Sequence, residues 1–253
     1  MADSALAPIG APAAPSITLK SRHAAVVRIT HWITAISFVA LLVTGVEIVI
    51  SHPRFYWGET GNILTPPLFS FPIPSSRSSV PTRYGYVLPD QNGWSRYLHF
   101  ETAWLLVFAG LVYVAFGLLK GHFRQNLLPA RRDISWRALS HTITNHLRFK
   151  PASKWDSWSY NLLQRLTYVI VIFVLFPLVI WTGLAMSPAV ASAFPPVVTV
   201  FGGQQSARTL HFFVSVLLFL FLLIHVGMVC ISGFRTRMRT MITGGHPAAK
   251  ERK

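Results

Sequence analysis

Four stretches of the chain, residues 29–50, 97–119, 162–186 and 209–232, are almost wholly apolar. Each is close to the ~20 residues that a helix needs to cross the ~30 Å hydrocarbon of a bilayer. Backbone in hydrocarbon must satisfy its own hydrogen bonds, which only helices and closed barrels achieve. Barrel strands would alternate polar and apolar residues, and these runs do not. The expected fold class is an all-α integral membrane protein, a bundle of four transmembrane helices. The composition agrees, with 52% of 253 residues apolar and 12% charged.

A formal net charge of +15 raises nucleic acid as a partner, and the placement of the 23 Lys and Arg decides against it. Eighteen lie before the first run, between the second and third, at the start of the third, or after the fourth. Five (Arg54, Arg77, Arg83, Arg96 and Arg208) belong to the other side. That asymmetry follows the positive-inside rule and puts both termini in the cytoplasm, so the chain reads as a multi-pass membrane protein. Residues 1–28, rich in Ala and Pro, read as a flexible cytoplasmic tail rather than a cleavable signal. Residues 120–158 form a basic cytoplasmic loop, in which 135–148 is expected to lie as an amphipathic helix on anionic lipid headgroups. Residues 233–253 are a basic cytoplasmic tail, and the Pro- and aromatic-rich segment 51–93 is a periplasmic loop that meets a partner or caps the bundle. The single cysteine, Cys230, allows no intrachain disulfide, no C-x-x-C metal site and no covalent haem attachment.

Of ten histidines, four lie within the apolar runs: His31, His99, His211 and His225. Fourteen residues separate His211 from His225, about 40° short of four full turns and about 21 Å along a helix axis, so both face one way near opposite surfaces. With the N-terminus inside, the alternating direction of the four helices places His31 and His225 at the cytoplasmic surface and His99 and His211 at the outer one. Imidazole in hydrocarbon calls for a relay, a counter-charge or a metal. Two pairs on facing helices match two six-coordinate haems, each gripped by two imidazoles and, without a covalent link, of b type. Arg28, Arg96 and Arg208 each precede a proposed ligand by three residues, on the same helix face and toward the nearer surface, where haem propionates would emerge. Gly45, Gly110, Gly117, Gly183 and Gly227 would allow close helix approach or room for a macrocycle. Pro177 is expected to kink the third helix, which carries no histidine.

These features, together with HPRFYWG after the first helix, LTYVIVIFVLFPLVIWTGLAMSP, FGGQQSARTLHF and RTRMRTMITGG, resemble the bacterial b561 and nickel-hydrogenase-type cytochrome b group, and within it the thiosulfate-reductase-type cytochrome b subunits. In the related formate dehydrogenase cytochromes, the resemblance implies, one ligand comes from the first helix, one from the second and two from the fourth, places that His31, His99, His211 and His225 fill. It further implies an electron-transfer subunit of a membrane oxidoreductase complex in a respiratory chain. Such a subunit works between the quinone pool, ubiquinone or menaquinone, and a periplasmic molybdopterin-dependent oxidoreductase. The cofactors expected are two haem b and a quinone, and the bundle is open to assembly as a homo-oligomer.

The chain holds no GxGxxG, P-loop or C-x-x-C cluster, so molybdenum, flavin and nucleotide chemistry would belong to a partner. A quinone headgroup needs polar groups beside a haem edge. Asn161, Arg165 and Tyr168, facing Arg28, Thr30 and Trp32, supply them on the cytoplasmic side, and Glu47 and Glu101 on the outer side. The resemblance to formate dehydrogenase cytochromes favours the inner site, with Arg165 and Tyr168 as contacts. The alternatives are a stand-alone quinol oxidase acting on superoxide or oxygen, a hydrogenase cytochrome b anchor, and a haem-free proton or solute transporter in which the histidines relay protons.

Overall fold

The computed structural model describes residues 23–62, 64–73, 87–128 and 162–244. Its elements are α1 (Ala25–Ser51), strands β1 (Arg54–Phe55) and β2 (Phe69–Ser70), α2 (Val87–Leu119) and a wide π turn at Phe123–Leu127. There follow α3 (Leu162–Ile170), a second π turn at Val171–Leu175, α4 (Phe176–Ala185), the short helices α5 (Pro188–Ala193) and α6 (Pro196–Thr199), α7 (Gln204–Ile231) and α8 (Phe234–Thr243). Among the described residues, four spans are long and apolar enough to cross a membrane: α1, Trp94–Leu119 of α2, Gln164–Ala185 across α3 and α4, and α7. The expected four-helix membrane bundle is therefore what the chain forms.

Side-chain contacts set the helix directions. Thr44, late in α1, meets His99, early in α2, while His31, early in α1, meets His225, late in α7. Successive spans thus run antiparallel. Between them, Val171, Val214 and Leu218 form a buried apolar cluster with Phe38, Phe176 and Val179 packed against it. Small hydroxyls are also buried inside the spans, such as Thr30, Ser37 and Thr44 at seven-residue intervals on α1. Thr30 and Thr44 donate to Val26 O and Ala40 O in the turn before, at 2.8 Å each, so these hydroxyls cost little desolvation while their small size lets helices approach. Large apolar residues such as Ile36, Val43, Leu111 and Ile224 point outward, as a lipid-facing surface requires.

Several boundaries differ from those read in the sequence. Helix α1 begins at Ala25, so the last residues of the expected tail are helical, and α2 begins at Val87, within the expected outer loop, on the stretch VLPDQNG, whose last four residues carry no hydropathy signal. The irregularity expected at Pro177 falls in the turn before it, as the π turn at Val171–Leu175: proline has no N–H to give and its ring crowds the carbonyl four residues back, which a widened turn relieves. The basic C-terminal tail contains α8, tied to α1 by Arg28 Nη1 donating to Ile242 O at 2.8 Å and Trp32 Nε1 to Met241 O at 3.2 Å. Those two bonds satisfy carbonyls at a helix end that has no further turn to receive them. Residues 135–148, and with them the expected surface helix, lie outside the described residues.

At the opposite end, residues 51–73 outside position 63 cap the bundle. Strands β1 and β2 pair antiparallel, Arg54 with Ser70 and Phe55 with Phe69. Phe55 stacks on Phe69 at 4.6 Å and leans on Phe212 of α7 at 4.6 Å, with Phe71 at the cluster's edge. The loop after β1 closes over the start of α7: Gly58 O accepts from Gln205 N and Ser206 N, and Gly58 N donates to Ser206 Oγ at 2.7 Å. First-turn N–H groups that no helix carbonyl can reach are thereby paired. Gly203 permits that approach, because its φ is +127° and an added Cβ would lie 2.6 Å from Glu59 N and closer to the Gly58 carbonyl. Gly203→Ala is expected to destabilise the fold by roughly 2–3 kcal/mol, combining a forbidden backbone region with a clash, and to lower the Tm in detergent by about 5–10 °C. A Tm equal to wild type would show that the loop does not lock α7.

Candidate functional site

Each of the four membrane histidines faces one other across a helix interface. The rings of His31 on α1 and His225 on α7 lie 6.3 Å apart between centroids, with their planes at 52°. Those of His99 on α2 and His211 on α7 lie 6.2 Å apart, at 61°. The spacing expected from the sequence thus pairs the same residues in space. Both partners on α7 belong to one uninterrupted helix, fourteen residues apart, so its rigidity sets the distance between the pairs.

At the His99/His211 end the second nitrogen of each ring is held. Thr44 Oγ1 is 2.9 Å from His99 Nδ1 and 2.8 Å from Ala40 O, and Thr182 Oγ1 is 3.0 Å from His211 Nδ1 and 2.8 Å from Leu178 O. Two oxygens at 2.8 Å attract only with a proton between them, so each hydroxyl donates to its carbonyl. Its oxygen is left to accept from Nδ1–H. Both rings are therefore the tautomer with a lone pair on Nε2, the form that can bind a metal. The glycine after each threonine gives the ring room: a Cβ at Gly45 would be 3.7 Å from His99 Cε1, and one at Gly183 3.4 Å from His211 Cε1. At the other end His31 Nδ1 is buried without a hydrogen-bond partner, while the His225 ring stacks on Phe221 at 5.6 Å and meets Tyr168 at 6.3 Å.

The donor set fits haem. Two metal–imidazole bonds of about 2 Å, with the ring radii, separate facing centroids by roughly 6 Å, which both pairs meet. Among the described residues no three or more His, Cys, Asp or Glu gather as a metal cluster. Histidine pairs suit a metal whose remaining ligands come from a macrocycle.

The arginines occupy varied places. Arg208 donates to His52 O beyond the end of α1 and lies over the Phe55 ring, 5.0 Å from its centroid. Arg28 is bonded to Ile242 O while its buried Nε has no partner. Arg96 is exposed one turn before His99. Arg165 Nη1 reaches Leu128 O at 3.5 Å, its Nε also buried and unpartnered, one turn before Tyr168 on α3. Glu101 is exposed and Glu47 half-buried, and Asn161 lies outside the described residues. Thr44 and Thr182 were not singled out by the sequence reading. Their signal is the Thr–Gly dipeptide, in VTGV and WTGL, on the span preceding each histidine it meets.

Four membrane helices with half-buried, facing imidazole pairs define a membrane cytochrome b, an electron-transfer protein of b-type haem. Residues 22–244 match the model of prokaryotic cytochrome b561, and the chain belongs to that family, as a multi-pass protein of the bacterial inner membrane. A protein of Azospira oryzae named as a protein-methionine-sulfoxide reductase subunit, YedZ1, is 28% identical over 214 residues, covering 83% of this chain and 90% of its own length. No solved structure is a significant match.

Crowding at the ring seat gives a direct test. Gly183→Leu should displace His211 and lower the b-type absorbance of the purified protein, whereas Gly110→Ala, where a Cβ meets nothing within 4 Å, should keep it. Full absorbance in Gly183→Leu would mean that His211 holds no haem.

Proposed function

We propose that the chain is a dihaem cytochrome b that carries electrons across the inner membrane between the quinone pool and a periplasmic, molybdopterin-dependent oxidoreductase. The observation that carries this reading is the pairing of four histidines at the two ends of one bundle, His31 with His225 and His99 with His211. The excess of Lys and Arg supports a cytoplasmic position for the first pair and for both termini. The Azospira relative is named as a reductase subunit, which supports an oxidoreductase as partner here.

Bound haem would supply reversible one-electron chemistry, its potential set by the axial ligands and their surroundings. The residues of this chain do the rest. Both partners' rings on α7 keep the sites about 21 Å apart along its axis. Arg28, Arg96 and Arg208, each a turn from a proposed ligand, would meet haem propionates with the guanidinium donors not already spent on backbone carbonyls. The quinone headgroup is read at the cytoplasmic pair, where Tyr168 offers a hydroxyl beside His225 and Arg165 retains an unpartnered Nε. The alternative at Glu47 and Glu101 is weaker, since Glu101 is exposed on α2.

A pyridine haemochrome assay on the purified chain is expected to give two b haems, with His99→Ala and His211→Ala removing one spectral component and His31→Ala and His225→Ala the other. One haem, or loss of the same component in His99→Ala and His225→Ala, would overturn the pairing. Quinol-driven haem reduction should slow in Tyr168→Phe and Arg165→Gln while haem content holds at two. Normal reduction in both, with a stall in Glu101→Gln, would move the quinone to the outer pair.

A further inference from the structure

The two ends of the bundle treat their imidazoles differently. At the His99/His211 end, each ring rests on a Thr–Gly step of the preceding span: Thr44–Gly45 of α1 for His99, Thr182–Gly183 of α4 for His211. Thr44 is 1% and Thr182 0% exposed, so these hydroxyls have no water to turn to. Each lies against two carbonyls of its own helix, Ala40 and Leu41 for Thr44, Leu178 and Val179 for Thr182. The proton is committed there, which polarises the hydroxyl oxygen and makes it a better acceptor for Nδ1–H. At the other end, buried His31 Nδ1 has no hydrogen-bond partner among the described residues.

We propose that Thr44 and Thr182 are positioning residues that fix the Nδ1–H tautomer and ring orientation of His99 and His211, and that this hydrogen bonding lowers the reduction potential of the outer haem. The proposal rests on the dihaem reading above. An acceptor on Nδ1–H raises the basicity of the ligating nitrogen and favours the more positive, oxidised iron. Removing the acceptor takes the hydroxyl oxygen away from Nδ1–H and withdraws that support. The same change also loosens the ring, because the hydroxyl is the side chain that holds Nδ1 at these distances. The glycine contributes space rather than a bond: its missing Cβ lets Cε1 sit against the helix backbone.

The test compares Thr44→Val, Thr182→Val and the double variant with Thr44→Ser and Thr182→Ser in the purified full chain. Haem content is assayed first, then each midpoint potential by optical redox titration and each low-spin signal by EPR. Valine keeps the shape and removes the acceptor, whereas serine keeps the hydroxyl. The expected result is two haems in every protein, one potential raised in each valine variant and more in the double, its EPR signal shifted, the other haem unmoved, and both serine variants at the wild-type values. Loss of that haem in the valine variants with retention in the serine ones would equally assign the role to the hydroxyl. Potentials and EPR signals unchanged by valine would overturn the proposal, as would serine variants that behave like valine. Fewer than two haems in the wild-type chain would instead sink the dihaem reading, and the proposal with it.

Discussion

Imidazole in hydrocarbon is the constraint around which this bundle is arranged. A histidine on a lipid-facing surface would leave two ring nitrogens without partners, so all four membrane histidines face the interior, and each meets a counterpart on another helix. The remaining interior polarity is kept small. Thr30, Thr44 and Thr182 return their hydroxyl protons to their own helix, which leaves an oxygen available to a neighbour at little cost in desolvation. The apolar side chains have less to do inside than in a soluble protein: among the described residues they gather at a mid-bundle cluster around Val214 and Leu218 and at a second around Ala185 and Ala207, while many others turn to the lipid.

Both ends of the bundle must then be closed over helix termini that still carry unpaired backbone groups. At one end the closure is aromatic: Phe55, Phe69 and Phe71 pack on Phe212, one residue after His211, while Gly58 pairs with the first turn of α7. Thr209 adds a bond of 2.7 Å to Tyr56 O, so the hairpin and the ligand-bearing turn form one unit. At the other end the closure is helical. Arg28 and Trp32, on either side of His31, reach carbonyls at the end of α8, so the last described helix folds back beside the first. In both cases the residues flanking a histidine hold the cover in place.

The spans were legible because hydrocarbon thickness imposes a length and an apolar composition on them. The histidine pairs were legible because helix periodicity and alternating direction leave few ways to match four residues in depth: His31, His99, His211 and His225 meet as their positions imply. What the sequence reading missed lies in polar or short segments, where pattern carries little. The start of α2 at Val87 runs through Asp90 to Gly93, and the docking of α8 depends on two side-chain bonds across more than two hundred residues. Thr44 and Thr182 escaped notice for another reason. Threonine is common in membrane helices, and only the position of an imidazole on the next span distinguishes these two from the rest.

The span without a histidine also clarifies how the two ends are kept in register. Tyr168 and Thr182 are fourteen residues apart, the same interval as His211 and His225, and run in the opposite direction. The α3–α4 span therefore sets a phenol ring against one α7 histidine and a hydroxyl against the other. It does so across the π turn at Val171–Leu175, the one interruption among the four described spans, with Val171 4% exposed and packed on the α7 core. A π turn changes the angular relation of the segments on either side of it, so this irregularity decides which residues of α3 and α4 face α7 together. The backbone deviation that Pro177 requires thus falls on the span with no ligand to misplace, while α7, bearing a histidine from each pair, remains one continuous helix from Gln204 to Ile231.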